Sequence, residues 1–120
     1  MTQLEFVNIL NELIVKGSCD SVLKLLNDPP GRRPPQYLVE MSNFFKSQDE
    51  NSKEMIKKII SFTADTALFG LFCIIDDVRT FDNEHGHLEL FYIKEKTKVL
   101  LNDPEQEYLH DIFNSLENKY

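Results

Sequence analysis

The sequence predicts an α+β fold with four to five helices around a long central helix, plus a small antiparallel β-hairpin. Three patterns indicate this: helical periodicity over residues 2–16, a longer helical pattern over 52–75, and strand-forming residues over 87–101. The 120 residues are 42% hydrophobic and 28% charged, which is ordinary globular composition. Because a chain of this length builds one core, residues 1–120 are interpreted as a single domain.

The first helix is indicated by apolar side chains at helical spacing, namely Leu4, Val7, Leu10 and Ile14. Gly17 is expected to end it, since glycine is common just past a helix C-terminus. Ser18 or Asp20 is then expected to cap a second, short helix. Four prolines among residues 28–35 exclude a helix or a central strand. They predict a stiff loop whose last prolines begin a third helix.

The central helix is predicted over residues 52–75, with Asn51 as its cap three residues ahead of Glu54. Its second half is apolar on almost every side, which places it at the centre of the core. The apolar run over 67–75 is also compatible with a buried strand, because periodicity cannot separate the two structures over so short a stretch.

A hairpin is predicted from strands over 87–93 and 98–101, joined by a polar turn over 94–97. Such a hairpin must pack on the helices or pair with residues 78–81, since an isolated one is only marginally stable in water. Asp103 followed by Pro104 then predicts the start of the last helix, with aspartate as the cap and proline in the first turn.

The formal net charge is −7, and it is unevenly distributed. Residues 1–75 hold nine acids and eight bases, whereas residues 76–120 hold eleven acids and five bases. An acidic surface repels nucleic acids and anionic membranes and favours basic protein partners. A surface tuned only for solubility is the alternative. The one pair of adjacent arginines, Arg32 and Arg33, is expected to anchor the proline loop rather than to bind phosphate.

The two cysteines, Cys19 and Cys73, are interpreted as reduced thiols, because their separation fits neither a zinc signature nor a disulfide framework. The N-terminus lacks the basic and apolar regions of a signal peptide. No apolar run reaches the roughly 18 residues that a membrane span needs. These observations predict a cytoplasmic protein without membrane association.

The acidic part of the chain supplies the candidate binding residues. Asp76 and Asp77 follow the central helix, where carboxylates oppose the helix dipole, and such a local conflict points to a role. Pairing with Arg79 or capping of a loop, contact with a partner, and catalysis all remain open for them. The predicted contacts to a basic partner are Asp76, Asp77, Asp82, Glu84, Glu89 and Glu95.

A metal site is a weaker possibility around two alternating histidines. In a strand, His85 and His87 would point to one face and could hold a metal with Asp82 or Glu84. Polar turn residues are the favoured interpretation, because the spacing fixes no third ligand. No nucleophile elbow, P-loop, dinucleotide fingerprint or zinc-protease motif is present. We therefore expect no catalytic residue, no cofactor and no bound metal.

Six segments carry a resemblance to known proteins: Gly31-Arg32-Arg33-Pro34-Pro35, Ala67-Leu68-Phe69-Gly70, Ile75-Asp76-Asp77, Leu88-Glu89-Leu90, Leu101-Asn102-Asp103 and Leu109-His110-Asp111. Over about residues 28–116 the chain looks like a family of small bacterial proteins. In size, acidity and lack of motifs it resembles the immunity proteins of contact-dependent growth inhibition. That resemblance implies an inhibitor that binds a basic toxin domain, often a nuclease, and covers its active site.

Two other functions stay open. One is a small adaptor or structural homodimer that pairs through the exposed edge of the hairpin. The other is a metal-dependent enzyme that uses Asp76, Asp77, His85 and His87. The first would show a concentration-dependent mass without any partner, and the second would purify with stoichiometric metal.

Overall fold

The computed structural model describes residues 1–79, 84 and 86–116, and it has the predicted α+β architecture. Its elements are α1 (Gln3–Leu10), a π-helical segment (Asn11–Lys16), α2 (Gly17–Asn27), α3 (Gln36–Lys46), α4 (Glu50–Ile75), β1 (Phe91–Lys94), β2 (Thr97–Leu100) and α5 (Leu109–Asn114). Because α1 and α2 run on through the π-helical segment, the described residues form four helical rods and one two-stranded antiparallel sheet.

The first rod begins with a capping box, in which the Thr2 hydroxyl accepts from the Glu5 N–H and the Glu5 carboxylate accepts from the Thr2 N–H. The prediction that Gly17 ends this helix is wrong, because Gly17 has helical dihedrals (φ −63°) and the rod continues to Asn27. In a regular α-helix a residue eight positions on lies about 80° round the axis. The wider π-helical turns reduce that offset, so Val7 and Val15 both reach the core.

The proline loop and α3 follow as predicted. Pro35 is the N-cap of α3, with an extended ψ of 144°. The buried Ser42 hydroxyl donates to the Leu26 carbonyl at 2.6 Å, which ties α3 to α2. Arg32 and Arg33 are exposed and form no ion pair with any residue that the structure describes, so the expected anchoring of the loop by arginines is absent there.

Helix α4 starts at Glu50 with Asp49, not Asn51, as its cap. The Asp49 carboxylate accepts from the Ser52 N–H at 2.7 Å, and this hydrogen bond lowers the pKa of Asp49. The helix continues to Ile75, which excludes the strand alternative. Its second half is not buried on every side as predicted. The buried residues of α4 are Asp65, Leu68, Phe72 and Cys73, whereas Leu71 is 48% exposed.

By length and composition, α4 is the one helix among the described residues that is able to cross a membrane. Its most apolar stretch of 18 residues has a mean hydropathy of 1.7, and 22% of that stretch is buried in the fold. The core helix of a soluble protein meets the same criterion, so this is weak evidence for a membrane span. It does establish that much of an apolar helix lies at the surface.

The main core joins α1, the second half of α4 and α5. Its buried members are Val7, Val15, Leu68, Phe72, Leu109, Ile112 and Phe113. The Phe72 and Phe113 rings meet edge to face, with centroids 5.4 Å apart. Cys73 and Cys19 are free thiols, as predicted, and burial raises the pKa of Cys73. A smaller buried group between α2 and α3 contains Leu26, Leu38 and Phe45.

The hairpin is confirmed in a shorter form. Strands β1 and β2 pair from Phe91 opposite Leu100 to Lys94 opposite Thr97, and the backbone pairing is prolonged by a hydrogen bond from the Leu101 N–H to the Leu90 carbonyl. Residues 87–90 precede the strand without regular structure, although the sequence predicts that they belong to it. Helix α5 begins only at Leu109, so the prediction that it starts at Asp103 is wrong.

Candidate functional site

A pocket of about 430 Å³ opens where the end of α4, the segment before β1 and the turn before α5 meet. Its acidic lining residues are Asp76, Asp77 and Glu89. His87 and Asn102 are its other polar side chains of note, and no lysine or arginine among the described residues lines it. The remaining lining residues are Ile75, Val78, Leu88, Leu100, Pro104 and Tyr108. The pocket therefore combines apolar walls with negative charge, in the size range of sites that enclose a side chain or a small ligand.

The first wall is the end of α4, which closes in a Schellman motif. The Val78 N–H donates to the Cys73 carbonyl and the Asp77 N–H donates to the Ile74 carbonyl. Asp77 takes the left-handed conformation (φ 62°) that this motif requires. The Arg79 guanidinium packs over Gly70, where an added Cβ would meet it at 3.0 Å. The motif leaves the Asp77 side chain exposed at the pocket.

The Asp76 carboxylate is fully buried and links α4 to α5. Its Oδ2 accepts from the His110 backbone N–H at 2.8 Å, in the first turn of α5. His110 Nδ1 lies 2.7 Å from the same oxygen, and it carries a proton when Asp76 is ionised because a carboxylate can only accept. Tyr108, the N-cap residue of α5, provides no side-chain cap of its own. Asp76 therefore caps α5 from a distant part of the sequence.

The second wall is organised by Asn102. Its Nδ2 donates to the Ile75 carbonyl at 2.8 Å and to the Leu88 carbonyl at 2.7 Å, and its Oδ1 accepts from the Leu90 N–H at 2.9 Å. One amide thus joins the end of α4 to the segment that leads into β1. We did not single out this residue from the sequence. The only signal was an asparagine placed directly after a strand and before Asp103-Pro104.

The third wall is the turn before α5, where Asp103 Oδ1 accepts from the Glu105 N–H at 2.9 Å. This is an Asx turn, and it uses the side chain that we expected to cap a helix. The turn places Pro104 in the pocket lining and carries two further acids, Glu105 and Glu107, which are both exposed. The acidic surface therefore extends from the pocket onto this turn.

The predicted contact residues that the structure describes differ in exposure and in position. Asp77 and Glu89 are exposed and line the pocket. Asp76 lines it too, but its carboxylate is 0% exposed and is held by His110. Asp76 thus shapes the pocket and offers no accessible side-chain oxygen to a partner in this conformation.

Of the other three predicted contacts, Glu84 and Glu95 do not line the pocket. Glu84 is exposed, and Asp82 lies outside the described residues. Glu95 sits in the hairpin turn with a φ of 53°, beside the lysines of the two strands. Those lysines are Lys94 of β1 and Lys98 of β2, and Lys96 lies in the turn itself. The tip of the hairpin is therefore basic, and the acidic surface is centred on the pocket instead.

The histidine pair can be followed only in part, because His85 lies outside the described residues. His87 lines the pocket, with its Nε2 3.5 Å from Glu89 Oε1. Within the part of the chain that the structure describes, no group of three His, Cys, Asp or Glu side chains is arranged to hold a metal ion.

Comparisons of the chain with protein-family models, with curated proteins and with solved structures gave no match. The function must therefore be inferred from the geometry and charge of the residues themselves.

Proposed function

We propose that this protein is an acidic protein-binding module, of the immunity type, that docks a basic surface of a partner onto the pocket beside α4. The observation that carries the proposal is the pocket lining, which contains two exposed acids, Asp77 and Glu89, and no lysine or arginine among the residues that the structure describes. An exposed arginine or lysine of a partner would find apolar walls for its methylene groups and carboxylates for its charge.

The charge around the pocket supports the same direction of binding. Asp77 and Glu89 are exposed on it, and Glu105 and Glu107 extend the negative surface along the neighbouring turn. Such a field accelerates encounter with a basic protein and slows encounter with an acidic one. A nuclease toxin exposes lysine and arginine for its substrate, so a module of this charge would cover its active site and inhibit it.

The test is capture of partners from a lysate of the host by the tagged full-length chain, at low and at high ionic strength. We expect one basic protein to be retained at low salt and released at high salt, because salt screens exposed charges. The bait is then changed at the pocket to Asp77→Lys with Glu89→Lys. We expect affinity for the captured protein to fall by about tenfold or more, mainly through slower association.

A matched control makes the same change of net charge in residues 1–75, at two exposed acids: Asp20→Lys with Asp28→Lys. We expect this variant to bind the captured protein almost as tightly as the unaltered chain. Equal loss in both double variants would mean that net charge alone matters, and unchanged binding of the pocket variant would remove the pocket from the interface. Inhibition of the captured protein's activity by the unaltered chain then separates an immunity function from an adaptor.

A further inference from the structure

A second surface of the molecule is apolar rather than acidic. Two grooves, of about 550 and 590 Å³, run between α2, α3 and α4, and they are continuous because Val22 and Ile60 line both. Among the described residues, Glu40 is the one charged residue in their lining. We name this the helical apolar surface, and its exposed members include Leu25, Tyr37, Met41, Phe44, Ile59 and Leu71.

These side chains are well exposed for their type. Phe44 is 62% exposed, Ile59 is 57% exposed, and Met41 and Leu71 are each 48% exposed. Single exposed apolar residues are ordinary, but a continuous patch across three helices is typical of an interface. The hydrophobic effect favours covering it.

The accessible surface of the whole chain is larger than that of a compact monomer of the same mass. The accessible surface is 8736 Å², whereas a compact monomer of 14.0 kDa exposes about 6,700 Å². The radius of gyration is 18.0 Å, against about 14 Å for a compact domain of this length. The difference of about 2,000 Å² is of the size that each copy contributes to a permanent homodimer.

The net charge of residues 1–75 favours a second copy of this chain as the partner that covers the helical apolar surface. Residues 1–75 carry a net charge of only −1, against −7 for the whole chain, so two copies can meet here without strong repulsion. Three of the six lysines in residues 1–75 pair with acids on the same helix, namely Lys16 with Glu12, Lys53 with Glu50 and Lys57 with Glu54, and the other three form no ion pair with a described residue.

We propose that two copies of this chain associate through the helical apolar surface. In a two-fold symmetric dimer each copy presents the same patch, so the ridge formed by Met41 and Phe44 would enter the groove of the other copy. The acidic pocket is lined by the last residue of α4 and those after it, shares no lining residue with the two grooves, and would stay open to partners. The hairpin edge is a poorer interface, because its strands are four residues long and carry lysines that oppose edge pairing.

The test is the mass of the purified full-length chain, measured by sedimentation velocity and by light scattering over a wide concentration range. We expect about 28 kDa, twice the 14.0 kDa of one chain. Phe44→Glu and Ile59→Glu, made separately, should each shift the mass to that of one chain while the far-ultraviolet circular dichroism is retained. The matched control is Ile93→Glu on the hairpin, where Ile93 is 65% exposed, and it should remain dimeric.

Three outcomes would overturn this proposal. One is a single-chain mass for the unaltered protein at every concentration. Another is dissociation by Ile93→Glu but not by either helical variant, which would place the interface on the hairpin. The third is a single-chain mass together with co-sedimentation with phosphatidylcholine–phosphatidylglycerol vesicles, which would assign the apolar surface to lipid. Capture of a basic partner by Phe44→Glu is scored separately, so the pocket and the dimer can fail independently.

Discussion

In residues 1–75 the helices are joined mostly by apolar side chains, whereas after residue 75 the elements are joined largely by polar side chains. Asn102 and Asp76 hold the end of α4, the segment before β1 and the start of α5 through five hydrogen bonds or close polar contacts. The first half is almost neutral, and the rest is strongly acidic. Apolar packing tolerates the open groove between α2, α3 and α4, whereas hydrogen bonds between polar side chains need specific partners at fixed distances.

This difference suggests a division of labour between the two regions. A neutral apolar surface suits association that depends on buried area, and an acidic pocket suits recognition that depends on charge. The two regions still share the core in which Phe72 of α4 meets Phe113 of α5.

The largest effect on the free energy of unfolding is expected from truncating a phenylalanine in either of the two groups of buried residues. Phe113→Ala in the main core and Phe45→Ala between α2 and α3 should each lower the free energy of unfolding by about 3–5 kcal/mol. Phe113 is 0% exposed and Phe45 is 3% exposed, so the two truncations are closely matched. If the chain folds as one domain, urea unfolding followed by circular dichroism should show one transition with an unchanged slope in both variants.

A second transition, or a smaller slope in only one variant, would show that the two regions unfold separately. The comparison between them would then describe two folding units and not two surfaces of one domain.

Much of the fold of residues 1–75 could be predicted from the sequence, because the patterns that predict its helices are local. Apolar periodicity and the prolines of residues 28–35 correctly predicted α3 and α4, and a polar turn between strand-forming segments correctly predicted the hairpin. The error at Gly17 has a physical reason. Glycine weakens a helix by about 1 kcal/mol, and the packing of Val7 and Val15 on the same core outweighs that preference.

The candidate site was predictable only in part, since long-range contacts build it. Asp76 caps α5 across 34 positions of sequence, and Asn102 reaches Ile75 across 27. No periodicity or spacing rule reports such contacts. Net charge correctly located acidic residues in the last third of the chain, yet it could not separate the exposed Asp77 from the buried Asp76.

The polar joint at Asp76 is expected to have an intermediate effect. Asp76→Ala should lower the free energy of unfolding by about 1.5–3 kcal/mol, because it leaves the His110 N–H without its charged acceptor. Asp76→Asn keeps an acceptor and should cost less. Asp77→Asn is the matched control on the exposed neighbour, and it should change stability by less than about 0.5 kcal/mol. Urea unfolding of all three variants measures the order.

An equal loss for the alanine and asparagine variants at Asp76 would indicate that charge, rather than the hydrogen bond to α5, is what stabilises this joint. An Asp77→Asn variant as unstable as Asp76→Ala would contradict the assignment of Asp76 as the cap of α5.

The smallest effect is expected at Asp49, the cap of α4, which belongs to neither the groove nor the pocket. Its hydrogen bond to the Ser52 N–H lowers its pKa in the folded protein. The stabilisation is therefore fully present above the unfolded pKa of about 3.9 and is lost as the pH falls through the lower, folded pKa. Asp49→Ala should accordingly be slightly less stable than the unaltered chain at neutral pH, and urea unfolding at decreasing pH should show the two curves converging. Asp20→Ala removes an exposed acid that caps no helix and is the control for charge alone. A gap between the Asp49→Ala variant and the unaltered chain that stayed constant into strong acid would mean that the cap acts through its shape and not its charge.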